Sequence, residues 1–488
     1  MNRIESVLRS EPGAASTTGI YSFYLAGQWL TSPQVADVVS PYDQRVIGRV
    51  SLAQAEHVER AIEAAVRAFA VTRKLAGYER QSALSKISHE LRGRAEEFAQ
   101  CISAESGKPI RTARGEVGRA AFTFQYAAEE ATRSTGELLP LDAIPSSAGR
   151  IGLLRRQPLG AIAAITPFNF PLNLVAHKVG PAMAAGCSIV LKPATKTPMV
   201  ALMLADLVAR SGYPREAVSV LPMTAETASA LVEDERLKLL TFTGSAEVGW
   251  ALKARAGKKK VALELGGNAG VIVHSDADLD QAIPRLVTGS FAFAGQSCIS
   301  VQRILVERSI FDDFTGRFTA AAQKLNSGDP CEERTDVGPM IRMEDAERAA
   351  QWIAEAAAEG AKVLCGGSRS GAVLGPTVLT RTKEIQRVNC QEIFAPVVTV
   401  EPYDDFGEAI ASVNRSRYGL QAGVFTRDID RLRRAFDELE VGGIIANDAP
   451  SFRIDHMPYG GVKDSGQGRE GIRYAMEEMT EPKLLVIA

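Results

Sequence analysis

The chain has 488 residues, 45% hydrophobic and 23% charged, with 56 basic against 58 acidic side chains. This is the profile of an ordinary globular protein of about three domains, long enough to bury several cores without disulfide staples. Near-neutral charge without a basic stripe argues against a nucleic-acid partner. No uncharged apolar run approaches the ~18 residues of a membrane span.

Residues 1–20 are polar, lack an apolar signal run and read as a flexible tail. From about Ala53 to Arg133 the pattern is helical. Val58, Ile62, Ala65, Val66 and Phe69 recur at helical spacing, a second helix follows Tyr78, and a third carries Val117, Ala121, Phe124 and Ala128. Pro140, Pro145, Ser146, Ser147 and Gly149 then interrupt the chain. Beyond them short apolar runs alternate with helical stretches such as Met199–Ser211. The runs are Ala161–Ile165, Ser188–Leu191, Ala217–Leu221, Leu237–Phe242, Val261–Leu263 and Gly270–Val273. A second series holds Val301–Val306, Val397–Val400, Gln421–Phe425 and Gly442–Ile445. Alternation of this kind predicts an α/β fold with parallel sheets, and two series predict two such domains. Lys483–Ile487 reads as a lone terminal strand, of the sort that pairs with another subunit.

The six cysteines are scattered and show no C-x-x-C spacing, which predicts reduced thiols and a cytoplasmic setting. The five histidines form no metal-ligand pattern, so no metal site is expected. The run Lys258-Lys259-Lys260 reads as a solvated turn before a strand.

Five segments carry candidate chemistry. In LKLLTFTGSAEVG a strand runs into Gly244 and Ser245 and a helix opens at Ala246. Such a turn offers free N–H groups and a positive helix end to a phosphate, or is simply a tight strand–helix connection. In FAGQSCISVQR, Cys298 follows Gly295 and two small or polar residues, an approach that exposes a thiol at a turn; a lone cysteine is otherwise a small buried hydrophobe. Glu264 ends a strand beside Gly266 and Gly267, facing a cavity or capping a helix. In ITPFNFP two prolines fix the backbone around Asn169, whose amide can serve an oxyanion or an Asx turn. Lys192 ends another strand, at the sheet edge where open α/β sheets bind ligands.

Taken together these segments resemble the aldehyde dehydrogenase superfamily, over nearly the whole chain from about Tyr21. The matching pieces are ITPFNFP, LKPATKTP, FTGSAEVG, LELGG, GQSC, EIFAP and MPYGGVKDSG, and Glu264 precedes Cys298 by the interval the family shows. The resemblance implies NAD(P)-dependent oxidation of an aldehyde to the acid through a cysteine thiohemiacetal and thioester. Cys298 would be the nucleophile, Asn169 with the Cys298 N–H the oxyanion ligands, and Glu264 the base that activates water. Ile165, Thr166, Pro167, Lys192, Thr195, Gly244, Ser245, Gly249, Leu265, Glu392 and Phe394 would bind the dinucleotide. Arg119, Phe170, Ser297 and Arg453 would face the substrate. Arg119 reads equally as a structural ion pair with Glu116 or a neighbouring helix, and Arg453 as part of a mobile loop lining the tunnel.

The implied fold is a Rossmann-like cofactor domain (21–134 and 157–262) and a catalytic domain (263–445). A small β oligomerisation arm (135–156 and 471–488) and a returning segment (446–470) that lines the substrate tunnel complete it. A homodimer or homotetramer follows. Where NAD-preferring relatives commonly carry a glutamate three residues after the lysine, this chain has Thr195, which leaves NADP use open. The texture resembles the subgroup acting on small polar aldehydes: lactaldehyde, semialdehydes and glyceraldehyde phosphates. The rival readings are a non-redox cysteine acyltransferase or hydrolase and a non-catalytic protein on the same scaffold.

Overall fold

The computed structural model describes residues 19–133 and 136–488. The expected N-terminal tail therefore lies outside the described residues up to position 18. Ile20 already belongs to a strand, Ile20–Tyr21, paired in parallel with Arg49 and Val50.

Four helices follow where three were expected: Ala55–Thr72, Gly77–Gly93, Ala95–Ser106 and Ile110–Arg133. The first buries Val58, Ile62 and Ala65 and turns Val66 outward; the last buries Val117, Ala121, Phe124 and Ala128. The face of the last helix shares one core with the wholly buried helix Asn173–Ala185, whereas Val58, Ile62 and Ala65 pack into another with Ala163 and Leu240.

The first large sheet has eight strands. Its parallel centre runs Lys260–Glu264, Leu239–Thr243, Ala161–Ile165, Ser188–Lys192, Val218–Val220. Gly466–Gln467 adds antiparallel at one edge; Phe23–Leu25 and Gln28–Leu30 add at the other. Ala161–Ile165 and Ser188–Lys192 are buried at every residue, because helices cover both faces of a parallel sheet. The chain moves outward from Ala161–Ile165 to one side, then returns to its other side at Leu239–Thr243. The strand order reverses between these two strands, and a crevice opens there at the carboxyl ends.

The second sheet has seven strands, in the order Lys362–Cys365, Thr377–Thr380, Val397–Tyr403, Val301–Glu307, Ala269–Val273, Gln421–Phe425, Gly443–Ala446. All its pairs are parallel except the first. It has its own core, which includes Leu286, Phe314 and Val398. The two sheets are joined by the short stretch Leu265–Asn268, between Lys260–Glu264 and Ala269–Val273.

The terminal strand is longer than expected and is not alone. Thr480–Ile487 pairs antiparallel with Ile151–Pro158, which pairs in turn with Glu137–Pro140. Every residue of the terminal strand except Thr480 is exposed.

Candidate active site

The loops that leave Ala161–Ile165 and Leu239–Thr243 face each other across the crevice. With the segment joining the sheets they enclose a cavity of about 740 Å³. It brings together Asn169, Glu264 and Cys298 with Gly244, Ser245 and Glu392. Pro167, Phe170, Leu265, Ser297 and Phe394 line it too, as do Arg119 and Arg453. Ile165, Thr166, Lys192, Thr195 and Gly249 do not. Ile165 and Lys192 are direct partners at the strand ends, and the Thr166 N–H donates to the Lys192 carbonyl at 3.1 Å. Thr195 is exposed on the loop beyond.

The approach to Cys298 is strained. Phe293, Ala294 and Gly295 are all left-handed, with φ of 50, 53 and 66°. For the two non-glycine residues this costs on the order of 1–3 kcal/mol each. Gln296, fully buried, holds the bend: its amide nitrogen donates to the carbonyls of Phe293 (3.3 Å) and Pro339 (3.4 Å), and its oxygen accepts from Ile341 N–H (2.8 Å). The residue that reads as a small-polar approach is thus the brace of the loop. Cys298 comes out half-buried, with Sγ 3.0 Å from the Tyr459 hydroxyl. Burial pushes its thiol up to about 12; the Tyr459 hydrogen bond opposes that shift.

Glu264 is 5% exposed, and its Oε2 has no hydrogen-bond partner among the described residues. Burial, and then the negative charge of Glu470, raise its carboxyl well above the usual range; Lys178, Arg453 and Arg469 act the other way. Glu470 lies well below that range in spite of its burial, held by Lys178 (2.8 Å) and Arg453 (2.7 Å). A carbon branch at Gly267 would strike the Cys298 carbonyl, and one at Gly266 the Glu392 carboxylate. The Gly-Gly turn lets these backbones meet.

Asn169 donates from Nδ2 to the Gln296 carbonyl at 3.1 Å, and its Oδ1 is unpartnered. Its backbone carbonyl accepts from Lys108 Nζ at 2.8 Å. Lys108 is fully buried, ion-paired to Glu116, and sits 3.9 Å over the Phe170 ring. Glu116 accepts from Leu172 N–H (2.9 Å) and Asn173 N–H (3.1 Å), so this pair clamps the chain at Asn169 and just after ITPFNFP.

Glu116 is therefore committed to Lys108, and the expected Arg119–Glu116 pair does not form. Arg119 instead makes a two-pronged pair with Asp455, at 2.7 and 3.1 Å. Arg453 lies in a segment outside any helix or strand, and its side chain is 7% exposed, ion-paired to Glu470 and stacked 3.7 Å over the Tyr459 ring. Asp455 also accepts from Asn173 Nδ2 (3.0 Å) and contacts His177 Nε2 at 2.8 Å.

Lys108, Tyr459, Asp455, Glu470 and Lys178 were not singled out from sequence, and Glu116 only as a partner of Arg119. Only Tyr459 stood inside a quoted motif, MPYGGVKDSG, where its hydroxyl carried no signal.

The crevice suits a dinucleotide. Ser245 starts the helix Ala246–Arg255 but makes no side-chain cap, which leaves the first-turn N–H groups for an anion. A branch at Gly244 would fill the space taken by the Phe242 ring, and one at Gly249 would strike Leu265. Among the described residues, buried Lys192 has only its neighbour's carbonyl at 3.4 Å, and desolvation lowers its pKa. Glu392 accepts from Gly267 N–H at 2.9 Å and is pushed up to about 7 by burial. Its loop is pinned by Asn268 and Gln302, which donate to the Gln391 carbonyl.

The model of the aldehyde dehydrogenase family matches residues 29–485. A 3-sulfolactaldehyde dehydrogenase of Priestia aryabhattai is 47% identical over 468 residues, 96% of this chain and 98% of that protein. The structure of aldehyde dehydrogenase 21 from Physcomitrella patens, in complex with the reaction product succinate, aligns with a TM-score of 0.95 at 46% identity. It covers 96% of this chain and 98% of that one. A glyceraldehyde-3-phosphate dehydrogenase of Methanocaldococcus jannaschii complexed with NADP aligns with a TM-score of 0.90 at 40% identity, covering 93% and 100%.

Proposed function

This chain belongs to the aldehyde dehydrogenase family, and on that premise we propose that it oxidises a small polar aldehyde to the free acid with Cys298 as nucleophile. The observation that carries the reading is that Cys298, Glu264 and Asn169 line one cavity with the phosphate turn and Glu392.

Cys298 Sγ attacks the aldehyde carbon as the thiolate, the reactive form. The amide of Asn169 and the Cys298 N–H donate to the oxygen as it gains charge; one such donor contributes roughly 3–4 kcal/mol. Bound NAD or NADP supplies the hydride acceptor. Lys192 and Thr195 would hold the adenosine ribose, Gly244 and Ser245 the pyrophosphate, Glu392 the nicotinamide ribose. Phe394 would flank the ring, and Ile165, Thr166, Pro167, Gly249 and Leu265 would shape the walls. Glu264 then takes a proton from the water that cleaves the thioester.

The substrate carries an anionic group. Arg119 is about one-third exposed at the cavity wall, beside Phe170 and Arg453, with Ser297 adjoining the nucleophile. A relative named for 3-sulfolactaldehyde and a structure holding succinate support this choice. No described helix is long and apolar enough to cross a membrane. All six cysteines are free, which supports a reducing, cytoplasmic setting. The exposed terminal strand supports self-association into a homodimer or homotetramer.

Glu264→Gln tests the mechanism. Rapid mixing with a semialdehyde should give a burst of reduced cofactor near one per active site, then very slow turnover and an acyl adduct on Cys298. Cys298→Ala should give neither. Steady turnover of Glu264→Gln at the parent rate, or activity in Cys298→Ala, would refute the assignment.

A further inference from the structure

We infer that the Tyr459 hydroxyl is a further catalytic group, donating the hydrogen bond that holds the Cys298 sulfur as a thiolate both before attack and as it leaves the thioester. This rests on Cys298 being the nucleophile.

The hydroxyl lies 3.0 Å from Sγ. In the neutral pair either atom can donate, but a thiolate has no proton, so once the sulfur ionises only the phenol can be the donor. The phenol keeps its own proton, because burial raises its pKa well above the ordinary value. The thiol proton therefore passes to water, and the O–H of Tyr459 stays intact throughout.

The ring cannot swing away. Tyr459 and Glu470 exchange both backbone hydrogen bonds, at 3.0 and 2.6 Å. The Arg453 guanidinium lies 3.7 Å over the ring face and is itself fixed by Glu470. A cation over a phenol withdraws electron density from it and makes its O–H a stronger donor. The other charges that act on the sulfur mostly oppose ionisation: Glu392 and Glu264 disfavour the thiolate, and only Arg453 favours it. Among the described residues Tyr459 supplies the one side-chain hydrogen bond recorded at Sγ.

The direction of the benefit follows from thiol chemistry. Lowering a thiol pKa by one unit raises the thiolate fraction about tenfold while the pKa stays above ambient pH. Intrinsic nucleophilicity falls only about threefold. The net gain applies to attack, and a better-stabilised thiolate also leaves the thioester faster.

The test is Tyr459→Phe, which removes the oxygen and keeps the ring under Arg453. The iodoacetamide alkylation rate at Cys298, followed by peptide mass against pH, should have its midpoint raised by about one unit or more. The hydride burst near neutral pH should slow several-fold, while the dissociation constant for NADP stays within about twofold. Replacing Tyr459 site-specifically with a fluorinated tyrosine of lower phenol pKa should move the midpoint down. An unchanged midpoint in either variant would overturn the proposal. Its failure is separable from failure of the mechanism, which falls if Cys298→Ala keeps its activity or Glu264→Gln turns over at the parent rate, whatever the midpoint in the Tyr459 variants.

Discussion

Glu264 and Glu470 are two carboxylates with opposite environments. Glu470 is ionised between Lys178 and Arg453, whereas Glu264, with an unpartnered oxygen, is driven to hold its proton. A raised carboxyl pKa means that the base form appears only as pH rises. The buried Cys298 thiol shifts in the same direction. Steady-state oxidation should therefore still be climbing above neutral pH rather than reaching a plateau there. Glu470→Gln removes the nearby negative charge and should move that rise toward acid; a profile that did not move would show that Glu470 does not set the ionisation of Glu264. At this scale the sequence was informative where a residue sits beside a backbone signal. Glu264 precedes Gly-Gly, Cys298 follows a glycine turn, and Asn169 lies between prolines. Glu470 and Lys178 stand 292 residues apart, and only the fold brings them together.

Among the elements, the parallel strands were legible because burial on both faces makes them continuous apolar runs: Ala161–Ile165 and Gln421–Phe425 run as expected to the residue. The short strands Lys362–Cys365 and Thr377–Thr380 were missed: the first is an edge piece with little periodicity, and the second, though buried, is four residues with threonine at both ends. Also illegible was what holds the ITPFNFP loop, because Lys108 lies far upstream. Its ion pair with Glu116 is fully buried, so removing one partner strands a charge at a cost of about 3–5 kcal/mol. Lys108→Met should lower the urea midpoint accordingly and, by releasing the Asn169 carbonyl, slow the hydride burst. Adding Glu116→Gln keeps an acceptor for the Leu172 and Asn173 N–H groups and removes the stranded charge. The double variant should thus regain most of the stability but not the burst rate. A single variant as stable as the parent would show that this pair does not brace the loop.

For the whole molecule, the three-stranded sheet formed by Glu137–Pro140, Ile151–Pro158 and Thr480–Ile487 has no core of its own on the chain. Leu484, Leu485, Val486 and Ile487 are each about half exposed; Leu485 and Ile487 share a face with their partners Leu153 and Ile151 and with Leu138, and Leu484 and Val486 take the other face. The terminal strand is also the sheet edge, so its outward N–H and C=O groups are left for another chain. Lone exposed leucines need no explanation, but a contiguous apolar strand with an open edge marks an association site. The chain should sediment as a dimer or larger at micromolar concentration. Leu485→Lys with Ile487→Lys places two charges on one face of that strand, because alternate residues share a face. This double variant should shift the population toward monomer while each chain still gives its burst of reduced cofactor, since neither residue lines the Cys298 cavity. Were the parent protein monomeric at tens of micromolar, the terminal strand would need another explanation for its exposed apolar face.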